Sequence, residues 1–397
     1  MPYINYSIPA YPLENDMWEE LKNESRPIVI YGMGNGADKL FDRLEKYNIK
    51  VSDVFASDGF VRGHSFRGYL VKSFSEIKAT YSDFVILLSF ASNRSEVIDM
   101  LADINGAYDM YVPDMPVAGV EEYFDKDFYN ENYQAILDAY NSLADEESKA
   151  IFSSVVNYKL SGRMKYLLEC YSTRDEIYSL MPIEKIRRAV DAGAYNGDTV
   201  REMKAYFPNL EDVYAIEPDK KNYKKLEKYS EAETEINVIS INAGAWCEGV
   251  GSLIFSSGNR NSTVVATASF EHREDTVILE MIDNLAPGKI DYIKYDVEGA
   301  ESEAITGSDY TIRCCKPTLL ISLYHRSRDV FDIINRIKRD YPFYKLYLRR
   351  LRCLPAWEID LIAVDDMAFE KPEFPVSPFN IGDFKMFSRK EMNDEQT

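Results

Sequence analysis

Between Pro27 and Ser89, short apolar runs alternate with amphipathic stretches. Pro27 to Tyr31 is apolar, a glycine-rich turn follows, and Leu40, Leu44 and Tyr47 then fall on one face at helical spacing. A second apolar run (Val51 to Phe55), a helical pattern around Ser73 to Thr80, and a third run (Phe84 to Ser89) continue the alternation. Strand, turn and helix in regular succession predict a parallel sheet in a unit that ends near Pro113 to Pro116.

From about Val120 to Leu180 the pattern changes. Runs such as ENYQAILDAYNSLADEESKAIFSSVVNYKL place apolar positions at helical spacing with almost no glycine, which predicts a helical connector or cap. Asp145, ahead of Glu146 and Glu147, predicts a helix start, because carboxylates favour the positive end of a helix. At Arg188 the strand–helix alternation resumes. Strands are expected at Arg188 to Val190, Val213 to Ile216, Ile236 to Ile241, Ile290 to Tyr295 and Thr318 to Leu323, with helices over Val200 to Phe207 and Lys220 to Tyr229. The expected organisation is therefore a Rossmann-like α/β unit at 1–118, a helical connector at 119–183 and a doubly wound α/β domain at 184–397.

Composition supports more than one core. The chain has 397 residues, 46% hydrophobic and 28% charged, as expected of a globular protein with a sizeable interior. Its net charge of -20 would repel a polyanion, so nucleic acid is a poor candidate for a partner. No stretch approaches the roughly 20 apolar residues that span a bilayer, and MPYINYSIPAYPLEN has neither the basic start nor the apolar core of a secretion signal. A cytoplasmic location is the expectation. The five cysteines (Cys170, Cys247, Cys314, Cys315, Cys353) show no CxxC spacing, against both a disulfide framework and a structural zinc site.

Polar residues recur just past the carboxyl ends of the later strands, where a doubly wound sheet binds its ligand. Asp191-Ala-Gly193-Ala194-Tyr195-Asn196-Gly197-Asp198-Thr199 follows the first strand, and Glu217-Pro218-Asp219 the second. Asn242-Ala243-Gly244 follows the third, Asp296-Val297-Glu298-Gly299 the fourth, and Tyr324-His325 the fifth. Glycines let a ligand approach the backbone closely. An acid at the first strand end suits a ligand carrying an ammonium and a sulfonium better than a phosphate, which points to S-adenosylmethionine. Glu217 can accept both ribose hydroxyls, and Asn242 offers donor and acceptor to adenine.

The order DAGAYNGDT, IEPD, INAGAW, SSGNRNST and IKYDVEGAE resembles the FkbM family of class I methyltransferases, from roughly Arg188 to Val364. The resemblance implies a Rossmann-like fold, S-adenosylmethionine as donor, and O-methylation of a sugar or other small molecule. It further implies that Asp191, Gly193 and Gly197, with Ala194, Tyr195 and Asp198 between and beside them, hold the methionine end. Glu217, with Pro218 and Asp219, would hold the ribose, and Asn242 and Ala243 would lie near adenine. Asp296 and Glu298 would fall at the reaction end. One departure is that Asp198-Thr199 follows Gly197 without a further glycine.

Methylating a hydroxyl requires somewhere for its proton to go. Of the three histidines, His64, His272 and His325, only His325 follows a strand of this sheet, making it the expected base, with Asp296 as competitor. Asp296, Glu298 and His325 could instead hold a divalent metal, or the two acids could cap the helix that begins near Ala300. Separately, Gly32-Met-Gly34-Asn-Gly36-Ala37 fits G-x-G-x-x-G/A, with Asp58 where a ribose-binding acid would stand. Together with Gly63-His64 and Gly68, this unit resembles the small nucleotide-binding domains that precede sugar-modifying enzymes. The alternative function is therefore nucleotide or nucleotide-sugar binding, or nicotinamide-dependent oxidation, by the N-terminal unit. No convincing catalytic Tyr/Lys or Ser set stands near Ser89 to Arg94 to support oxidation.

Overall fold

The first apolar run becomes a strand buried along its whole length in the computed structural model, which describes residues 7–61, 63–118, 122–254 and 276–365. This strand, β1 (Ile28–Tyr31), leads through the glycine turn into α1 (Asn35–Lys46), whose Ala37, Leu40 and Leu44 face the core. It is joined by β2 (Asp53–Ala56), β3 (Lys72–Ser73), β4 (Val85–Leu88) and β5 (Asp109–Tyr111) in a parallel sheet of order β3-β2-β1-β4-β5. The second strand begins at Asp53, two residues later than the apolar pattern suggested. Asp53 is drawn into the sheet because its carboxylate accepts from Lys72 Nζ at 2.8 Å and Tyr81 Oη at 2.6 Å.

The connector is helical. Its main elements are α2 (Lys126–Ser142) and α3 (Glu146–Ser161), followed by short helices at Lys165–Glu169 and Arg174–Ser179. Asp145 caps α3 as expected, its Oδ1 accepting the Ser148 amide at 2.8 Å. The fully buried Arg350 closes the far end, donating to the carbonyls of Leu167, Cys170, Leu351 and Cys353.

The second sheet contains β6 (Arg188–Ala192), β7 (Asp212–Ile216), β8 (Asn237–Ile241), β9 (Tyr292–Tyr295), β10 (Thr318–Ser322), β11 (Tyr344–Arg350) and β12 (Ile359–Asp365). Between them run α4 (Asp198–Tyr206), α5 (Lys220–Ala232), α6 (Glu301–Thr306) and α7 (Asp329–Asp340). Strand order is β8-β7-β6-β9-β10-β12-β11, with only β12 antiparallel to its neighbours. The sequence thus returns to the middle of each sheet and then builds outward the other way. In both sheets the strand order reverses next to the first strand, between β1 and β4 and between β6 and β9. A crevice opens at such a point beyond the carboxyl ends of the strands.

The helix after the glycine loop starts at Asp198, earlier than Val200, because Gly197 in a left-handed conformation (φ 84°) turns the chain directly into it. One buried cluster includes Val29 and Ile86 of the first sheet, Phe128 and Phe152 of the connector, and Ile293 and Leu361 of the second sheet. The SSGNRNST stretch lies outside the described residues.

Candidate functional site

The loop between β6 and α4 is fixed by its backbone. The Gly193 and Ala194 amides both donate to the Ile216 carbonyl at 3.0 Å, tying the loop to the end of β7. Gly193 has φ 96°, and a Cβ there would stand 1.9 Å from the Asp296 carbonyl oxygen. At Gly197 it would meet the Tyr229 ring at 2.5 Å. The sequence suggested that these glycines leave room for a ligand. The protein itself also comes close at both positions, the chain just past β9 at Gly193 and the Tyr229 ring of α5 at Gly197. Tyr195, at φ 46°, stands outward and 44% exposed from the same loop.

Below the loop lies a charged group in the core. Asp191 is fully buried; its Oδ2 accepts the Thr199 hydroxyl, and its Oδ1 has no hydrogen-bond partner. Burial pushes its carboxyl up to about 6, against the lowering influence of Lys294 and Thr199. Lys294 lies beside Asp191 in the sheet register, and its Nζ donates to Asp296 Oδ2 at 2.9 Å. Burial disfavours the ammonium, but Asp296 and Asp191 outweigh it and hold the lysine charged. Asp296 is likewise penalised by burial, yet Lys294 and His325 bring it down to about 2.

Glu217 ends β7 and faces back across the loop. Its Oε2 accepts the Tyr195 amide at 2.9 Å and its Oε1 the Asp219 amide at 2.8 Å. Burial nevertheless raises its carboxyl to about 7. Pro218 separates it from Asp219, which caps α5 by accepting the Lys221 and Asn222 amides. Asn242 Nδ2 donates to the Glu217 carbonyl at 2.8 Å and the Pro218 carbonyl at 3.2 Å, bracing this turn, beside the buried Ala243. Asp219 and Asn242 thus hold the crevice wall through their side chains.

Beyond β9 and β10 the acids and the histidine expected from the sequence do meet. His325 is fully buried; its Nδ1 stands 2.9 Å from Glu301 Oε1, and its Nε2 lies 3.5 Å from Asp296 Oδ1 and 3.6 Å from Glu298 Oε2. Burial alone would lower the imidazole pKa, but Glu301, Asp296 and Glu298 together raise it to about 10. His325 is therefore an imidazolium near neutral pH, with no lone pair to take a proton, which argues against its expected role as base. Glu298 differs. Burial lifts it to about 7, against the nearby His325, and it sits at φ 55°, a conformation a non-glycine residue adopts at a cost.

Neither Asp296 nor Glu298 caps the next helix. α6 begins at Glu301 without a side-chain cap, and Glu301 Oε1 instead accepts the Val297 and Gly299 amides. Among the described residues, no group of three or more His, Cys, Asp or Glu side chains is arranged to hold a metal ion, so the expected trio gains no support as a metal site. Sequence reasoning missed Lys294, Glu301 and Thr199. Only Lys294 left a signal: a lone cation in the otherwise uncharged run Tyr292–Tyr295, all of which is buried.

In the first sheet, Gly34 caps α1 without a side chain, and a Cβ on Gly36 would come within 2.2 Å of the Ser89 carbonyl oxygen. Asp58 turns onto Ser75, accepting its hydroxyl at 2.7 Å, which commits it away from the ribose role suggested by its position.

Residues 191–344 match the model of the methyltransferase FkbM domain. Among solved structures, a methyltransferase FkbM from Methylobacillus flagellatus KT is similar at TM-score 0.63 and 21% identity, over 90% of this chain and 94% of that one. That likeness is one of fold. A Streptococcus mutans protein described as a methyltransferase and crystallised with SAH gives TM-score 0.32 and 13% identity, over 48% of this chain and 98% of its own. Aeropyrum pernix fibrillarin, with natively bound S-adenosyl-L-methionine, gives 0.30 and 13%, over 48% and 74%. No curated protein matches the sequence at a significant level.

Proposed function

We propose, from the match of residues 191–344 to the methyltransferase FkbM domain model, that this chain transfers a methyl group from S-adenosylmethionine to a hydroxyl of a sugar or other small molecule. One observation carries the reading. At the reversal point between β6 and β9 stand a glycine loop, Asp191 with one unpartnered carboxylate oxygen, Glu217 raised by burial, and the cluster of His325 with Asp296, Glu298 and Glu301.

The residues fit such a donor. Asp191 Oδ1 is buried without a hydrogen-bond partner, and Glu217 is held near neutrality by burial. Both gain from a ligand that brings positive charge and hydroxyl donors. Gly193, Ala194, Tyr195, Gly197 and Asp198, over Asp191, would hold the methionine end; Glu217 with Pro218 and Asp219 the ribose; Asn242 and Ala243 the adenine side. When bound, S-adenosylmethionine supplies an electrophilic methyl group on a sulfonium.

The chain's own part is alignment and proton handling. Holding the acceptor hydroxyl in line is worth up to ~7–11 kcal/mol in favourable cases, and a base adds ~10²–10⁴-fold. Asp296, held near 2 by Lys294 and His325, is a poor base. Glu298, at about 7, is matched to neutral pH and takes the proton. His325 is a positioning residue: its cation holds Asp296 and Glu298 together at the crevice mouth. In this reading residues 184–397 form the catalytic domain, with 1–118 and 119–183 as a substrate-side unit and a connector.

Calorimetric titration of S-adenosylmethionine into the wild type, Asp191→Ala and Glu217→Ala tests it. The expected result is binding that both substitutions abolish. Failure of the wild type to bind, with NAD or a nucleotide sugar bound instead, would refute it.

A further inference from the structure

Glu298 sits between two peptide groups that meet one oxygen atom. Glu301 Oε1 accepts the Val297 amide at 2.9 Å and the Gly299 amide at 3.3 Å, and those two amides flank Glu298, whose φ is 55°. The same oxygen stands 2.9 Å from His325 Nδ1. A single carboxylate oxygen thus reaches both the loop that carries Glu298 and the ring that faces it. Glu301 is only 1% exposed, and its other oxygen, Oε2, has no hydrogen-bond partner. A carboxylate so deeply buried is costly unless charge and donors compensate it. An acid in the first turn of a helix ordinarily serves that helix, yet α6 has no side-chain cap and Glu301 turns back onto the preceding loop.

We propose, building on the methyl-transfer reading above, that Glu301 is a positioning residue of the reaction: it fixes the backbone from which Glu298 acts as base and orients His325 so that Nε2 faces Asp296 and Glu298. The partner of one imidazole nitrogen decides what the other presents. With Nδ1 against Glu301, Nε2 is left toward Asp296 Oδ1 at 3.5 Å and Glu298 Oε2 at 3.6 Å. A lone pair there would repel both carboxylates, so the ring keeps both protons. The Tyr324 ring packs beside it, centroids 4.1 Å apart. The other charged groups around the ring do not replace Glu301. Lys294, at the end of β9, is committed to Asp296. Asp329, at the start of α7, accepts the Arg326 amide at 2.9 Å, and burial together with Glu301 pushes its carboxyl up, which makes it the weaker counter-ion. Arg326, whose side chain stands near Asp329, adds a second cation rather than an anion.

Glu301→Gln separates charge from shape. Its oxygen can still accept the Val297 and Gly299 amides, so the loop keeps its hold while the charge beside Nδ1 is lost. Glu301→Ala removes both. The test is nitrogen NMR of histidine-labelled full-length chain from pH 5 to pH 10, with lines assigned through His64→Gln and His272→Gln, joined to crystal structures of the two Glu301 variants. In the wild type His325 should stay an imidazolium through neutral pH, with a midpoint at about 10. In Glu301→Gln the midpoint should fall by about 1–3 pH units, with residue 298 still left-handed; in Glu301→Ala residue 298 should leave that conformation. A merely structural Glu301 would lower the urea midpoint of both variants and leave the ring's titration where it was. An unchanged His325 midpoint in Glu301→Gln, or a left-handed residue 298 in Glu301→Ala, would overturn the proposal; if the alanine variant does not fold, the glutamine result decides alone. Calorimetry of S-adenosylhomocysteine with the wild type runs beside these. The expected NMR and backbone results without S-adenosylhomocysteine binding would leave Glu301's hold on Glu298 and His325 standing and bring down the donor reading.

Discussion

Substituting Glu217 by glutamine should make the ligand-free chain less sensitive to pH while weakening its hold on the donor. In the folded chain burial holds this carboxyl at about 7, against an ordinary value of 4.5. A carboxyl whose folded pKa is raised binds its proton more tightly when folded, so its contribution to stability is present at low pH and fades as pH rises from 4.5 through 7. Integrating between pH 5 and pH 8 with these two values gives a loss of about 2.5 kcal/mol from this one group. Glutamine cannot ionise, so the loss disappears. It brings a cost of its own, since it has one acceptor oxygen where the carboxylate serves both the Tyr195 and Asp219 amides. Leaving one amide unsatisfied costs about 1–3 kcal/mol at every pH. Glu217→Gln should therefore be less stable than wild type at pH 5 and should equal or exceed it at pH 8, in urea unfolding at the two pH values. Two curves that stay parallel would show that Glu217 is not held near neutrality and would refute the reasoning.

Lys294→Met should destabilise the chain by about 3–5 kcal/mol in the same assay, because it leaves Asp296 and Asp191 without their shared cation. Gly193→Ala, which drives a Cβ onto the Asp296 carbonyl at positive φ, should cost about 3 kcal/mol or more, whereas Gly34→Ala should stay within about 0.5 kcal/mol. Thermal scans of the two alanine variants side by side make that comparison. Glu298→Gln should lower kcat by ~10²–10⁴ and remove the rise in rate through pH 7 expected of a carboxylate base, while S-adenosylhomocysteine still binds; an unchanged pH–rate profile would remove Glu298 from the base role.

The strands and their terminal acids were legible because both signals are local. A buried parallel strand is a short apolar run, and the chain must turn at its end, so Asp191, Glu217, Asp296 and His325 could be assigned to one edge before any contact was known. Their states could not be. Whether His325 carries a proton depends on Glu301, at the start of α6, and on Glu298, whose left-handed backbone nothing in the sequence announces. The glycines carry a constraint the sequence does not show: at Gly193 and Gly197 a side chain would also meet Asp296 and Tyr229, which come from distant segments. The N-terminal motif was found, but its expected acid, Asp58, is taken by the hydroxyl of Ser75.

Arg350 gives the molecule a property opposite to that of its crevice. Its guanidinium is buried among four backbone carbonyls, with no carboxylate among its hydrogen-bond partners. Burial lowers its pKa only to about 10, so it keeps one charge state across the range in which Glu217, Glu298 and Asp191 change theirs. The joint between connector and second sheet is thus chemically constant, and the acid-rich mouth is adjustable. As pH rises through about 7 the chain should therefore soften at its mouth before it softens at the joint.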